Sequence, residues 1–159
     1  MARRRQRSTR ANVTIDENSN IPEITRALER LAAKETHVGM QGDAELAMIA
    51  GVHEYGSAKM KIPARSFIGV GKKRSTAPIK KLVKAKIQGV ADGSVPPEDL
   101  LREIGEIGLE RTLKRFDSIR QPPLSPAYKA VKTGRKILLR DKDLRDSLTF
   151  KIVQKDGGT

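Results

Sequence analysis

A chain of 159 residues suffices for one domain with an appended arm. It carries 32 Lys and Arg against 19 Asp and Glu, a formal net charge of +13, and no cysteine, which excludes disulfide stapling and thiolate metal sites and fits a reducing cytosol. No run approaches the ~18 apolar residues of a membrane span, and no ~7–15-residue apolar stretch follows the basic N-terminus as a signal peptide requires.

Residues 1–20 hold five arginines within the first ten positions, Arg3, Arg4, Arg5, Arg7 and Arg10, and too few apolar groups to fold alone. This arm is either a solvated tail or a contact for phosphates or a neighbouring subunit, since guanidinium forks suit phosphate by charge and geometry. Setting those arginines aside still leaves basic residues in excess, so the body is basic in its own right. Such an excess concerns partners, with nucleic acid the usual one and acidic protein surfaces another.

The folded domain is expected over 21–155, with 156–159 as a short tail. Asn20 with Glu23 resembles a capping box and Pro22 is tolerated in a first turn, so a helix starts there, with Ile24, Leu28 and Leu31 on one face. Thr36, Val38 and Met40 alternate with polar or small residues and predict a strand. Asp43 can cap a second helix in which Leu46, Ile49, Ala50 and His53 share a face and Gly56 is the stop. Ser57 to Lys61 reads as a loop. Thr76 with Pro78 predicts the start of a third helix carrying Ile79, Leu82, Val83, Ile87 and Val90 as far as Gly93.

Ser94, Pro96 and Pro97 mark the start of a fourth helix to about Phe116, in which Gly105 and Gly108 imply close approach of a neighbouring element, because each costs up to ~1 kcal/mol relative to Ala in a helix interior. Ser125-Pro126 predicts a short helix ending at Gly134. Ile137 to Leu139 read as a short strand, Leu144 to Ser147 as one helical turn, and Leu148, Phe150 and Ile152 as the clearest strand of the chain. The fold class is therefore α+β: three to four helices on a small, mainly antiparallel sheet.

The inventory for chemistry is poor. His37 and His53 are the two histidines, no Cys can complete a zinc site, and the zincin spacing is absent. His53 and Glu54 are adjacent on a helix and diverge, so they form no dyad on one face. Glu98-Asp99 and Asp141-x-Asp143 fall at helix starts, where carboxylates oppose the macrodipole. Gly69-Val70-Gly71-Lys72-Lys73 lacks the P-loop spacing. No catalytic set, metal site or cofactor is expected, and the Lys-rich 72–86 segment reads as a solvated helical face.

Three stretches taken in order carry more. LAMIAGVHEYGSAKMKIPARSFI, IGEIGLERTLK and PPLSPAYKAVKTGRKILLRDKDLRDSLTFKI together resemble the tail-completion or head–tail joining (neck) proteins of long-tailed bacteriophages. The shared features are Tyr55-Gly56 closing a helix, Ile62-Pro63-Ala64-Arg65 followed by Phe67, Pro122 to Pro126, and the Leu144 to Ser147 turn. Two departures are Ser66, where relatives often carry Pro, and Asp141-Lys142-Asp143 in place of Asp-Thr-Gly. The resemblance covers about residues 22–153 and leaves out the arm.

The resemblance implies a non-enzymatic virion protein, assembled in the host cytoplasm, that forms a homo-oligomeric ring of six subunits around packaged DNA. Its partners would be head connector or adaptor proteins on one side and a tail terminator or tail tube on the other. A tail terminator or minor tail protein is the neighbouring alternative, and an unrelated basic nucleic-acid-binding module the alternative of another class. The expected subunit interface is Tyr55, Gly56, Ile62, Pro63, Arg65, Phe67 and Ile68, with Phe67 as a buried anchor and Arg65 pairing with a carboxylate of the neighbour. The arm arginines would touch DNA or a neighbouring ring.

Overall fold

The computed structural model describes residues 20–131 and 143–155. Among these, the chain runs α1 (Ile21–Ala32), β1 (Lys34–Met40), α2 (Ala44–Tyr55), α3 (Ile68–Ala91), α4 (Pro97–Ser118), α5 (Pro126–Val131), α6 (Asp143–Asp146) and β2 (Leu148–Gln154). The architecture is α+β, as the sequence predicts. The arm arginines, the 137–139 strand, the end of the short helix at Gly134 and the 156–159 tail lie outside the described residues.

The frame is a hairpin of two long helices, α3 of 24 residues and α4 of 22, packed along each other. Small side chains set their separation. A Cβ on Gly71 would collide with Thr112, which is 1% exposed and turns its hydroxyl back to the Gly108 carbonyl at 2.9 Å. Lys86 of α3 and Glu103 of α4 meet at 2.5 Å on the outer seam.

β1 and β2 pair antiparallel, with Thr36 opposite Ile152, Val38 opposite Phe150 and Met40 opposite Leu148. Side chains of directly opposed residues share a face, and this face rests on α4. The Phe150 ring occupies the place where a Cβ on Gly105 would stand, and Val38 comes within 2.9 Å of the Cβ position of Gly108. The Thr36 hydroxyl donates to the Leu101 carbonyl at 3.1 Å. The two helical glycines are thus explained: each removes a side chain from the line where the sheet crosses the helix. His37 and Lys151 lie opposite each other on the exposed face.

The main core joins α2, α4, α6 and the α3 entry. Ala50, Phe67, Phe116, Ile119, Leu144 and Leu148 are its buried members, with Met40, Leu46, Ile49, Ile68, Leu109 and Leu113 around them. Phe67 and Phe116 meet edge to face, 5.1 Å between centroids at 89°, an arrangement favoured by the ring quadrupoles.

Three local expectations need correction. Asn20 is the N-cap of α1, but its side chain makes no cap bond; its backbone carbonyl accepts from Glu23 and Ile24 instead. Leu28, expected on the inner face of α1, is 39% exposed, and α1 buries no residue fully. The third helix starts at Ile68 rather than at Thr76. Pro78 therefore lies inside it, where a ring without N–H interrupts the ladder and costs about 3 kcal/mol. The earlier turns hold because Gly71 and Ser75 are buried and the helix start is capped from outside.

Candidate functional site

Residues 52–68 build a pinned corner between α2 and α3. The Asp43 carboxylate caps α2, accepting from the Glu45 and Leu46 amides at 2.9 and 3.0 Å. At the other end Gly56 adopts φ +77° and donates its N–H to the Val52 carbonyl at 2.8 Å. A Cβ at Gly56 would stand 2.8 Å from both the Ala64 nitrogen and the Ile62 oxygen, so glycine is required by conformation and by space.

From there the chain makes a small hairpin. Ser57 and Ile62 exchange both backbone hydrogen bonds, at 2.8 and 2.9 Å, and the Lys61 amide donates to Ala58 with Lys61 at φ +51°. The Arg65 amide then donates to the His53 carbonyl at 2.7 Å, which returns the chain to the end of α2.

Glu54 is the keystone of this corner. Its carboxylate accepts from the amides of Phe67, Ile68 and Gly69, each at 2.9 Å, and from the Ser66 hydroxyl at 2.5 Å. These amides are the unsatisfied donors at the start of α3, whose own N-cap residue is Phe67 and supplies no side-chain cap. Glu54 therefore caps α3 from α2, and its charge sits at the positive end of the α3 dipole. Burial raises the Glu54 carboxyl, but the Ser66 hydroxyl and the Gly69, Phe67 and Ile68 amides outweigh that and hold it below the usual carboxylate range.

Arg65 and Phe67 differ from the sequence expectation. Arg65 is 5% exposed and bridges two backbone carbonyls, Nε to Pro122 and Nη2 to Pro123, each at 3.0 Å. Burial pushes its guanidinium below the ordinary value. Phe67 is fully buried against Phe116. Neither side chain is presented to a neighbour: Arg65 fastens the 120–126 connection to the corner, and Phe67 anchors the corner in the subunit's own core. Arg115 adds a bond from Nε to the Ser66 carbonyl at 3.3 Å.

What the corner does present is different. Tyr55 is 85% exposed and Met60, near the hairpin tip, 58%. Gly56, Ile62 and Ile68 are half-buried and Pro63 is exposed. Along α2 the outer face carries Ala44, Ala47, Met48 and Tyr55, with Met48 64% exposed, so an apolar stripe lies opposite the face that packs in the core. A helix apolar on both sides ordinarily has partners on both.

No family model, curated protein or solved structure matches this chain. Its own geometry carries the argument. Among the described residues no three His, Asp or Glu side chains gather as a metal set, and no helix is long and apolar enough to cross a membrane. Glu98 and Asp99 stand in the first turn of α4, with Glu98 paired to Lys34 at 2.6 Å.

Sequence reasoning placed the corner and its glycine but missed the roles of Glu54, Ser66 and Met48. The signal for Glu54 was available: a helix whose first residues are Ile68-Gly69-Val70 lacks a capping side chain of its own and must borrow one. Met48 and Tyr55 are seven apart, hence on one helical face, and that face differs from the Leu46, Ile49, Ala50 and His53 set.

Proposed function

We propose that this chain is a structural virion protein of a tailed bacteriophage, forming a ring at the head–tail interface that joins the connector to the tail around the DNA channel. The order of motifs from Tyr55-Gly56 through Leu144 to Ser147 supports this reading. The observation that carries it is a set of exposed apolar side chains, Met48 and Tyr55 on one face of α2 and Met60 near the hairpin tip, the last two on a corner cross-braced by Glu54, Arg65 and Arg115. Such bracing suits a docking surface, because a preorganised element loses less conformational entropy on binding.

The occupant is the next copy of the same chain. A closed ring needs two unlike surfaces on each subunit. The second is the outer side of α1, where Ile21 is 69% exposed and Leu28 39%. α1 packs mainly on the α3–α4 hairpin and also on β1, whereas α2 packs on β1 and α6, so the two surfaces stand on different helices. Tyr55 replaces Phe67 as the anchor in this scheme.

The test is the double variant Tyr55→Ser with Met60→Ser in an infected host. Both residues are exposed, so each change should alter folding by no more than ~0.5 kcal/mol. Heads and tails should form and fail to join. Joined, infectious particles at wild-type yield would remove the proposal.

A further inference from the structure

Helix α3 contains seven basic residues and no Asp or Glu over its 24 positions. Lys86 is half-buried and paired with Glu103. The other six are exposed; Lys72 stands about 100° off the row that the remaining five form, and among the described residues none of Lys73, Arg74, Lys80, Lys81 or Lys84 enters an ion pair. At ~100° per residue, Lys73, Lys80 and Lys84 fall within about 40° of one line, with Lys81 and Arg74 on its flank. That line lies opposite the buried Gly71 and Ser75 face that meets α4. A helix with amphipathic needs alone would intersperse acids here, as α4 does with Glu106, Glu110 and Lys114.

We infer that the outer face of α3 is a contact surface for the phosphate backbone of duplex DNA. From Lys73 to Lys84 the helix rises ~16 Å. Duplex DNA presents one charge per ~1.7 Å of its axis, so several phosphates pass within reach of this row. The side chains also say what kind of contact it is. Four of the five are lysines, mobile point charges without the fork that fixes a guanidinium on one phosphate or base. The exposed residues between them are Thr76 and Ala77, with no aromatic group on which an unpaired base could stack. The surface therefore attracts a duplex without reading its sequence or holding it in one register, which suits DNA that must slide. The choice of duplex DNA over another polyanion rests on the ring reading above; the charged face itself does not.

The experiment uses the full chain and fluorescein-labelled 30-base-pair duplexes of two unrelated sequences, with anisotropy titrations across potassium chloride concentrations. Lys73→Gln, Lys80→Gln and Lys84→Gln are combined in one variant. Lys129→Gln, Lys151→Gln and Lys155→Gln, also exposed, form a second variant with the same loss of charge. The α3 variant should lower the slope of log K against log salt by about 0.9 per lost contact, up to ~2.7. The second variant should lower it by less than one such contact, and the two duplexes should bind alike. Both variants should melt with the wild type by circular dichroism. Equal slope losses would reduce the effect to net charge, and an unchanged slope in the α3 variant would assign binding to other residues or the face to an acidic protein; either outcome overturns the inference. Head–tail joining is not read in this assay, so its failure and that of the ring proposal are distinguishable.

Discussion

Glu54→Ala removes the shared support of two helices and a loop, and its cost can be worked from the structure. The carboxylate accepts three amide bonds at 2.9 Å and one hydroxyl bond at 2.5 Å, all at the start of α3. Loss of a helix N-cap costs ~0.5–2 kcal/mol, and a favourably placed charge on the dipole up to ~2. Glu54 is only half-buried, and solvent screening trims the charge contribution. The expected loss is about 2–3 kcal/mol, or ~5–10 °C in Tm for a domain of this size. Glu54→Gln keeps one acceptor and loses the charge, and should fall between. The folded carboxyl lies below its ordinary value of 4.5, so its stabilisation is full above that value and is lost as pH falls through the folded one. The wild-type advantage over Glu54→Gln should therefore be greatest near pH 7 and shrink below pH 4.5. Thermal melts of the three proteins from pH 7 to pH 3 decide it. A Glu54→Ala protein that melts within 1 °C of wild type at pH 7, or a difference that does not change with pH, would refute the capping account.

Gly105→Ala should destabilise by ~1–3 kcal/mol in urea unfolding, because the new methyl overlaps the Phe150 ring, even though alanine favours helix by up to ~1 kcal/mol. Phe150→Leu in the same chain should recover part of that loss, with a coupling outside experimental error. Arg65→Lys should loosen the 120–126 connection, since one ammonium on a flexible stem cannot span the Pro122 and Pro123 carbonyls as the guanidinium does. Limited proteolysis should then cut near Arg120 faster than in wild type, with the rest of the domain still folded; an unchanged cleavage rate would contradict that role.

Local rules reached much of this fold. Asp43 before an apolar series, Gly56 after it, Pro96-Pro97 opening a helix and the alternation of Leu148, Phe150 and Ile152 each act over a few residues, and each appears where expected. The paired helical glycines even implied their neighbours, which are Phe150 and Val38. The failures share a cause. The start of α3 depends on Glu54, a residue of another helix, and Pro78 pointed to a nearer start that tertiary contacts override. Arg65 and Phe67 were expected at a subunit interface because the resemblance placed the 55–68 loop there. Their burial depends on Phe116 and on carbonyls at Pro122 and Pro123, far away in sequence. The exposed stripe of α2 was hidden by its companion: a helix apolar on two faces shows little periodicity.

The most direct test of the ring proposal is electron microscopy of particles assembled in a host from which this chain has been removed. The account predicts full heads and complete tails lying separate, with joining restored when the wild-type chain is supplied. Intact, joined virions in its absence would contradict it.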